Sequence, residues 1–103
     1  SAALDPLESL DRGWVEVAVA EALVQLRRGN SDYADVIDDL LRTDGEGSPD
    51  LAERLGRPPA TLAVLRHRAR RRFALLFEEQ LRSTVRDEED FEQLWNALAK
   101  HLP

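Results

Sequence analysis

The chain contains no cysteine and no methionine. Without thiols it forms no disulfide and no thiolate metal site, which is compatible with a cytoplasmic home. Without methionine, the native start is expected to lie upstream of Ser1. Aromatic residues make up only 6% of the sequence, so a core built from them is excluded and aliphatic packing must carry the fold. No apolar run approaches the roughly 18 residues of a membrane span. There is also no charged-then-apolar secretory leader. Internal repeats, low-complexity tracts and strand candidates of useful length are missing too. Lysine is nearly absent, with thirteen arginines against one lysine. That bias, with abundant alanine and leucine, suits a GC-rich bacterial genome.

What is present fits one small helical domain. A chain of 103 residues can bury a single modest core but not two. Hydrophobic residues at 43% and charged residues at 33% separate it from disordered and membrane classes. The net charge of −6 argues against a generic nucleic-acid binder, but its distribution matters more than its sum. Residues 54–72 carry seven arginines and no acid. Residues 1–53 set four arginines against thirteen acids, and residues 73–103 set three bases against seven. One basic stretch therefore stands between two acidic flanks, an arrangement that orients a molecule on phosphates more than it strengthens binding.

Periodicity predicts five helices. Residues 1–10, which include Pro6, read as a linker or arm. Asp11 is expected to cap a first helix that runs to about Arg28 and stops at Gly29-Asn30, with Val15, Ala18, Val19, Ala22, Leu23 and Leu26 inward. Trp14 stands in its first turn. Ser31 or Asp32 would cap a second, with Tyr33, Val36, Ile37, Leu40 and Leu41 at i, i+3, i+4, i+7 and i+8. After the break at 43–47, Ser48-Pro49-Asp50 reads as cap, first helical proline and dipole-matched acid of a third. A fourth helix is expected from near Pro59 to Thr84, roughly 40 Å long at 1.5 Å per residue. Phe73, Leu76, Phe77 and Leu81 extend its apolar stripe. Asp87 would cap a fifth, acidic helix over 87–103, with Phe91, Leu94, Trp95, Leu98 and Leu102 inward. The expected fold class is all-α: a small five-helix domain containing a helix-turn-helix, with four helices over 11–86 and the acidic fifth over 87–103 packed on or near them.

The most informative stretch is LAERLGRPPATLAVLRHRAR, residues 51–70. Leu51, Ala52 and Leu55 give a short helix one apolar face. Gly56 can take positive φ at a sharp turn, and Pro58 and Pro59 are tolerated where a new helix begins. Leu62, Leu65 and Ala69 then recur at i, i+3 and i+7. The spacing is that of a helix-turn-helix over 49–72, although helix, glycine turn and helix also occur in small bundles of other function.

The run LAERLGRPPATLAVLRHRARRR resembles region 4 of bacterial sigma factors, in which an LAERLG-type segment precedes a recognition helix ending in an arginine run. LDRGWVEVAVAEALVQLR (10–27) is similar to a segment ahead of the helix-turn-helix in one group of extracytoplasmic-function sigma factors. STVRDEEDFEQLWNAL (83–98) resembles an acidic extension in the same group. The resemblance implies a non-enzymatic domain of transcription initiation, without a cofactor, that binds a −35-type promoter element and the β flap of RNA polymerase. An anti-sigma factor is a further implied partner, and no membrane is.

On this alignment Pro58, Pro59, Ala60, Ala63, Val64 and His67 point toward the groove, with Thr61 beside them. Almost none of these can make the paired hydrogen bonds by which Arg, Lys, Asn or Gln read a base edge. Region 4 domains often carry Lys or Arg where this chain has Ala63, and serine where it has Pro58. The arginines at 66, 68, 70, 71 and 72 spread around the helix, and Arg68, Arg71 and Arg72 share the side of His67. The expected DNA-binding set is therefore Thr61, Val64, His67, Arg68, Arg71 and Arg72. The arginines reach phosphate, pair with the acidic flanks or stay solvated, and an acidic fifth helix that folded over them would mask them. The alternative reading is a protein-interaction or dimerisation module that has lost base-specific contacts, with Pro59, Ala63 and Val64 as its apolar surface. A ligand-regulated repressor is a third, and no residue marks its pocket.

Signals for other chemistry are weak. His67 and His101 fall on different helices with no carboxylate at ligand spacing. Asp44, Glu46, Gly47, Asp50 and Glu53 sit at the spacing of a calcium loop, but Arg42 occupies its first ligand position, where a cation is repulsive. The acids at 87–90 belong in a first helical turn without any active site.

Overall fold

In the computed structural model, residues 12–85 and 87–103 are described. The linker or arm expected at 1–10 and the cap expected from Asp11 lie outside them. All regular structure among the described residues is helical, and five helices are present: α1 (Arg12–Gly29), α2 (Ser31–Arg42), α3 (Leu51–Leu55), α4 (Pro59–Thr84) and α5 (Glu88–Ala99). No helix among them is long and apolar enough to cross a membrane.

Helices α1, α2 and α4 pack on one another, and α5 lies along α4. Ala22, Ala34 and Ala69 are fully buried, where larger side chains would force helices apart. The remaining core is aliphatic, with Leu26, Val36, Ile37, Leu40, Leu51 and Leu81 almost completely enclosed. Phe73 and Phe77 stack one turn apart on α4, ring centroids 6.3 Å from each other.

Helix α5 returns along α4 on its inward side. Phe91, Leu94 and Leu98 are buried in the common core. A cavity of about 100 Å³ bounded by Val15, Leu41, Phe73, Phe77, Leu98 and Leu102 brings the end of the chain against α1 and α2. The N-terminus of α5 is fastened by Arg82, whose guanidinium meets Glu88 at 3.0 Å and Glu78 at 3.4 Å. The same group lies 3.8 Å over the Phe91 ring.

Two helix starts and one inward position differ from the sequence expectation. The cap of α2 is Asn30, whose Oδ1 accepts the Tyr33 N–H at 3.2 Å, because Asn30 is the residue left in extended geometry between α1 and α2. Helix α3 starts at Leu51 rather than at Pro49, since Ser48 turns its hydroxyl and N–H to Asp39 and offers no cap. Leu41, expected inward, is exposed, and Asp39 is buried in its place at 1% relative exposure.

Candidate nucleic-acid interface

The candidate surface is made by the turn between α3 and α4 and by the outward side of α4. Gly56 takes φ +65° and ψ +35°, the left-handed conformation open to glycine. The Gly56 N–H donates to the Glu53 carbonyl at 3.1 Å and the Arg57 N–H donates to the Ala52 carbonyl at 2.9 Å. These 5→2 and 6→1 bonds form a Schellman motif, which closes α3 after five residues and redirects the chain. Pro58 follows in extended geometry, and Pro59 opens α4 where no N–H is needed. The first turn of α4 is tied down as the Thr61 N–H donates to the Pro58 carbonyl at 2.9 Å.

Burial fixes which way α4 faces. Leu62 and Ala69 are buried, and Leu65 packs against the core together with Leu55 of α3. A residue step of about 100° then turns Ala60, Val64, His67, Arg68, Arg71 and Leu75 outward. All six are exposed, with Val64 at 47% and Leu75 at 50% relative exposure. Arg72 is exposed at one edge of this face, Arg70 lies toward the other, and Thr61 is half-buried. His67, Arg68 and Arg71 therefore share the outward face of α4, with Val64 among them.

The basic stretch divides in two. Arg54 pairs with Asp39 at 2.9 Å and with Asp50 at 3.5 Å. Arg57 meets Asp32 at 2.8 Å, which ties the turn to the start of α2. By contrast, none of Arg66, Arg68, Arg70, Arg71 and Arg72 forms an ion pair among the described residues. The acidic first turn of α5 reaches Arg82 and not these five. The sequence left open whether the fifth helix masks these arginines; among the described residues its acids form no ion pair with them, and Phe91, Leu94 and Leu98 lie in the core with Phe73 and Phe77.

Sequence reasoning missed Asp39 and Arg66. Asp39 accepts the Ser48 hydroxyl at 2.6 Å, the Ser48 N–H at 2.8 Å and the Arg54 guanidinium at 2.9 Å. Burial alone would raise its pKa, but the two bonds from Ser48, then Arg54, outweigh burial, so the carboxyl titrates below the ordinary aspartate value. Beside this cluster, the Thr43 hydroxyl donates to the Asp39 carbonyl at 2.8 Å and accepts the Gly47 N–H at 2.8 Å. Gly47 has φ +80°, and a Cβ there would overlap the Arg66 guanidinium. Arg66 is thus laid over the 43–50 loop, with its Nε buried and without a hydrogen-bond partner. The contacts of Asp39 lie nine and fifteen residues downstream, so no local signal marks it out.

Compared with protein-family models, with curated proteins and with solved structures, the chain matches none.

Proposed function

We propose that this chain is a DNA-binding, region-4-like domain of a divergent extracytoplasmic-function sigma factor. Its α4 would lie on duplex DNA near a −35-type element while another surface contacts the β flap of RNA polymerase. The observation that carries the DNA-binding part is the outward face of α4, on which Arg68 and Arg71 stand exposed without acidic partners, with Arg72 at its edge. Their positive charge is left for phosphate oxygens, and each phosphate neutralised releases counterions and steepens the salt dependence. The polymerase part rests on the three ordered resemblances across 10–27, 51–72 and 83–98. Catalysis would belong to the polymerase.

The test is a salt titration of binding to labelled promoter duplexes, paired with binding to an isolated β flap. Affinity for duplexes should fall steeply between low and physiological salt. No binding to DNA at low salt, together with none to the flap, would overturn the reading.

A second reading, a protein-docking module, is favoured by one observation: Val64 and Leu75 are about half exposed on the same face as the arginines. If Val64→Glu leaves every partner unaffected and the protein is a monomer, that reading is refuted.

A further inference from the structure

Helix α1 is apolar on two opposite sides. One side supplies Ala18, Ala22 and Leu26 to the core. The other carries Val17, Ala20 and Val24, spaced 3 and 4 apart, and all three are exposed. Val17, at 66% relative exposure, is the most exposed large hydrophobic residue described, and Val24 stands at 44%. On a helix with a single buried face the far side is normally charged. β-branched residues also weaken helix propensity, so two valines at solvent positions bring no benefit to the isolated domain. Next to them, Leu23 and Val24 with the stems of Arg27 and Arg28 line a shallow groove of about 310 Å³. The 3–4 spacing is that of a helix–helix seam, and Ala20 at its centre allows close approach.

We propose that this seam pairs with the α1 of a second copy of the chain, in antiparallel orientation. Charge selects both the occupant and its direction. Glu16 lies in the first half of α1, and Arg27 and Arg28 form its basic last turn. A parallel pair would set Glu16, Glu21, Arg27 and Arg28 each beside its own copy. An antiparallel pair with Val17 opposite Val24 brings Glu16 level, within about one helical turn along the axis, with the basic last turn of the other copy. Arg28 has no ion-pair partner among the described residues, whereas Arg27 is held by Asp35 at 2.9 Å. Antiparallel helix dipoles add to the same preference. The seam lies on a different helix from the arginines of α4, so the pairing and the DNA reading can fail separately.

The absence of cysteine makes the test clean. Sedimentation of the full chain at rising concentration should show a reversible monomer–dimer equilibrium. Val17→Glu should weaken it at least about tenfold, while Val64→Glu on α4 should leave it unchanged. Both substitutions are at exposed positions, and circular dichroism checks that the variants fold. Under mild oxidation, a mixture of Val17→Cys and Val24→Cys chains should form a crossed disulfide, because that geometry brings the two Cα atoms within the about 7 Å a disulfide needs. Three results would overturn the proposal: a chain that stays monomeric at high micromolar concentration, a dimer sensitive to Val64→Glu but not to Val17→Glu, or efficient disulfide formation by Val17→Cys alone, which requires parallel helices.

Discussion

Arg54 and Arg57 differ from Arg68 and Arg71 in what surrounds them, not in kind. All four belong to the acid-free stretch 54–72. The first two sit where the chain turns into α4 and close onto Asp39 and Asp32 of α2. The second two stand farther along α4, where the opposite side of the helix is in the core and no acid of the described residues pairs with them. The early arginines fasten the turn to the helix beneath it, and the late ones are left for an outside anion. The contrast teaches that a basic stretch is not uniform. Its charge counts for binding only where the fold has not already satisfied it.

The most forceful way to break this division is to remove Asp39. Asp39→Ala leaves the Ser48 hydroxyl and N–H unpaired in a half-buried place and strips Arg54 of its enclosed partner. Losing a buried acceptor with several donors costs on the order of 2–4 kcal/mol, the upper end being moderated because Arg54 itself is half exposed. Urea unfolding should register this as a lower midpoint at unchanged slope. The carboxyl's depressed pKa adds a pH signature. An aspartate that titrates lower when folded than its unfolded value of about 3.9 contributes stability that is complete above about pH 4. That contribution is lost as pH falls through the folded pKa, since the unfolded chain takes up the proton first. In the Asp39→Asn variant the acid-side loss of stability should be visibly shallower than in the parent chain.

The double variant Arg68→Ala with Arg71→Ala probes the other half. It should unfold within about 0.5 kcal/mol of the parent, as exposed substitutions away from caps and cores do. Binding to every duplex should weaken, and the slope of log K against log salt should become shallower by about 2. A drop confined to one sequence would instead indicate base reading. Arg57→Ala should show the reverse pattern: about 0.5–1 kcal/mol lost, since Asp32 is only partly shielded, with the salt slope of DNA binding unchanged.

These two groups were unequally legible in the sequence. The turn and helix that carry the late arginines follow from residue types with local conformational preferences. Gly56 reads as a left-handed stop, Pro59 as a first helical residue, Asp87 as a cap, and the spacing of Leu62, Ala69, Phe73, Leu76 and Phe77 gives the inward stripe. Each signal acts within a few residues. The early arginines are different, because their partners are set by how α2 meets α3 in space. Asp38 and Asp39 are neighbours of identical type, yet only the second is enclosed. What distinguishes them is Ser48 and Arg54 arriving from beyond a loop whose path depends on Asp44 and Gly47 taking positive φ. The same loop explains why Ser48 does not cap α3. A side chain that satisfies a buried carboxylate cannot also satisfy a helix N-terminus.

Arg66 tests whether the division is complete, because it belongs by sequence to the late group and by contact to the early one. Its guanidinium rests over Gly47, and its Nε is enclosed without an acceptor. An enclosed donor with nothing to donate to is destabilising, while the aliphatic stem beneath it packs favourably. Replacing it by a side chain of similar length and no polar head removes the first effect and keeps the second. Arg66→Met should therefore match the parent or exceed it by up to about 1 kcal/mol in urea unfolding. If Arg66 is a scaffold residue, the salt slope of DNA binding should stay where it was. A slope shallower by about 1 would place Arg66 on phosphate, and would mean that the arginine leaves Gly47 when a duplex is present.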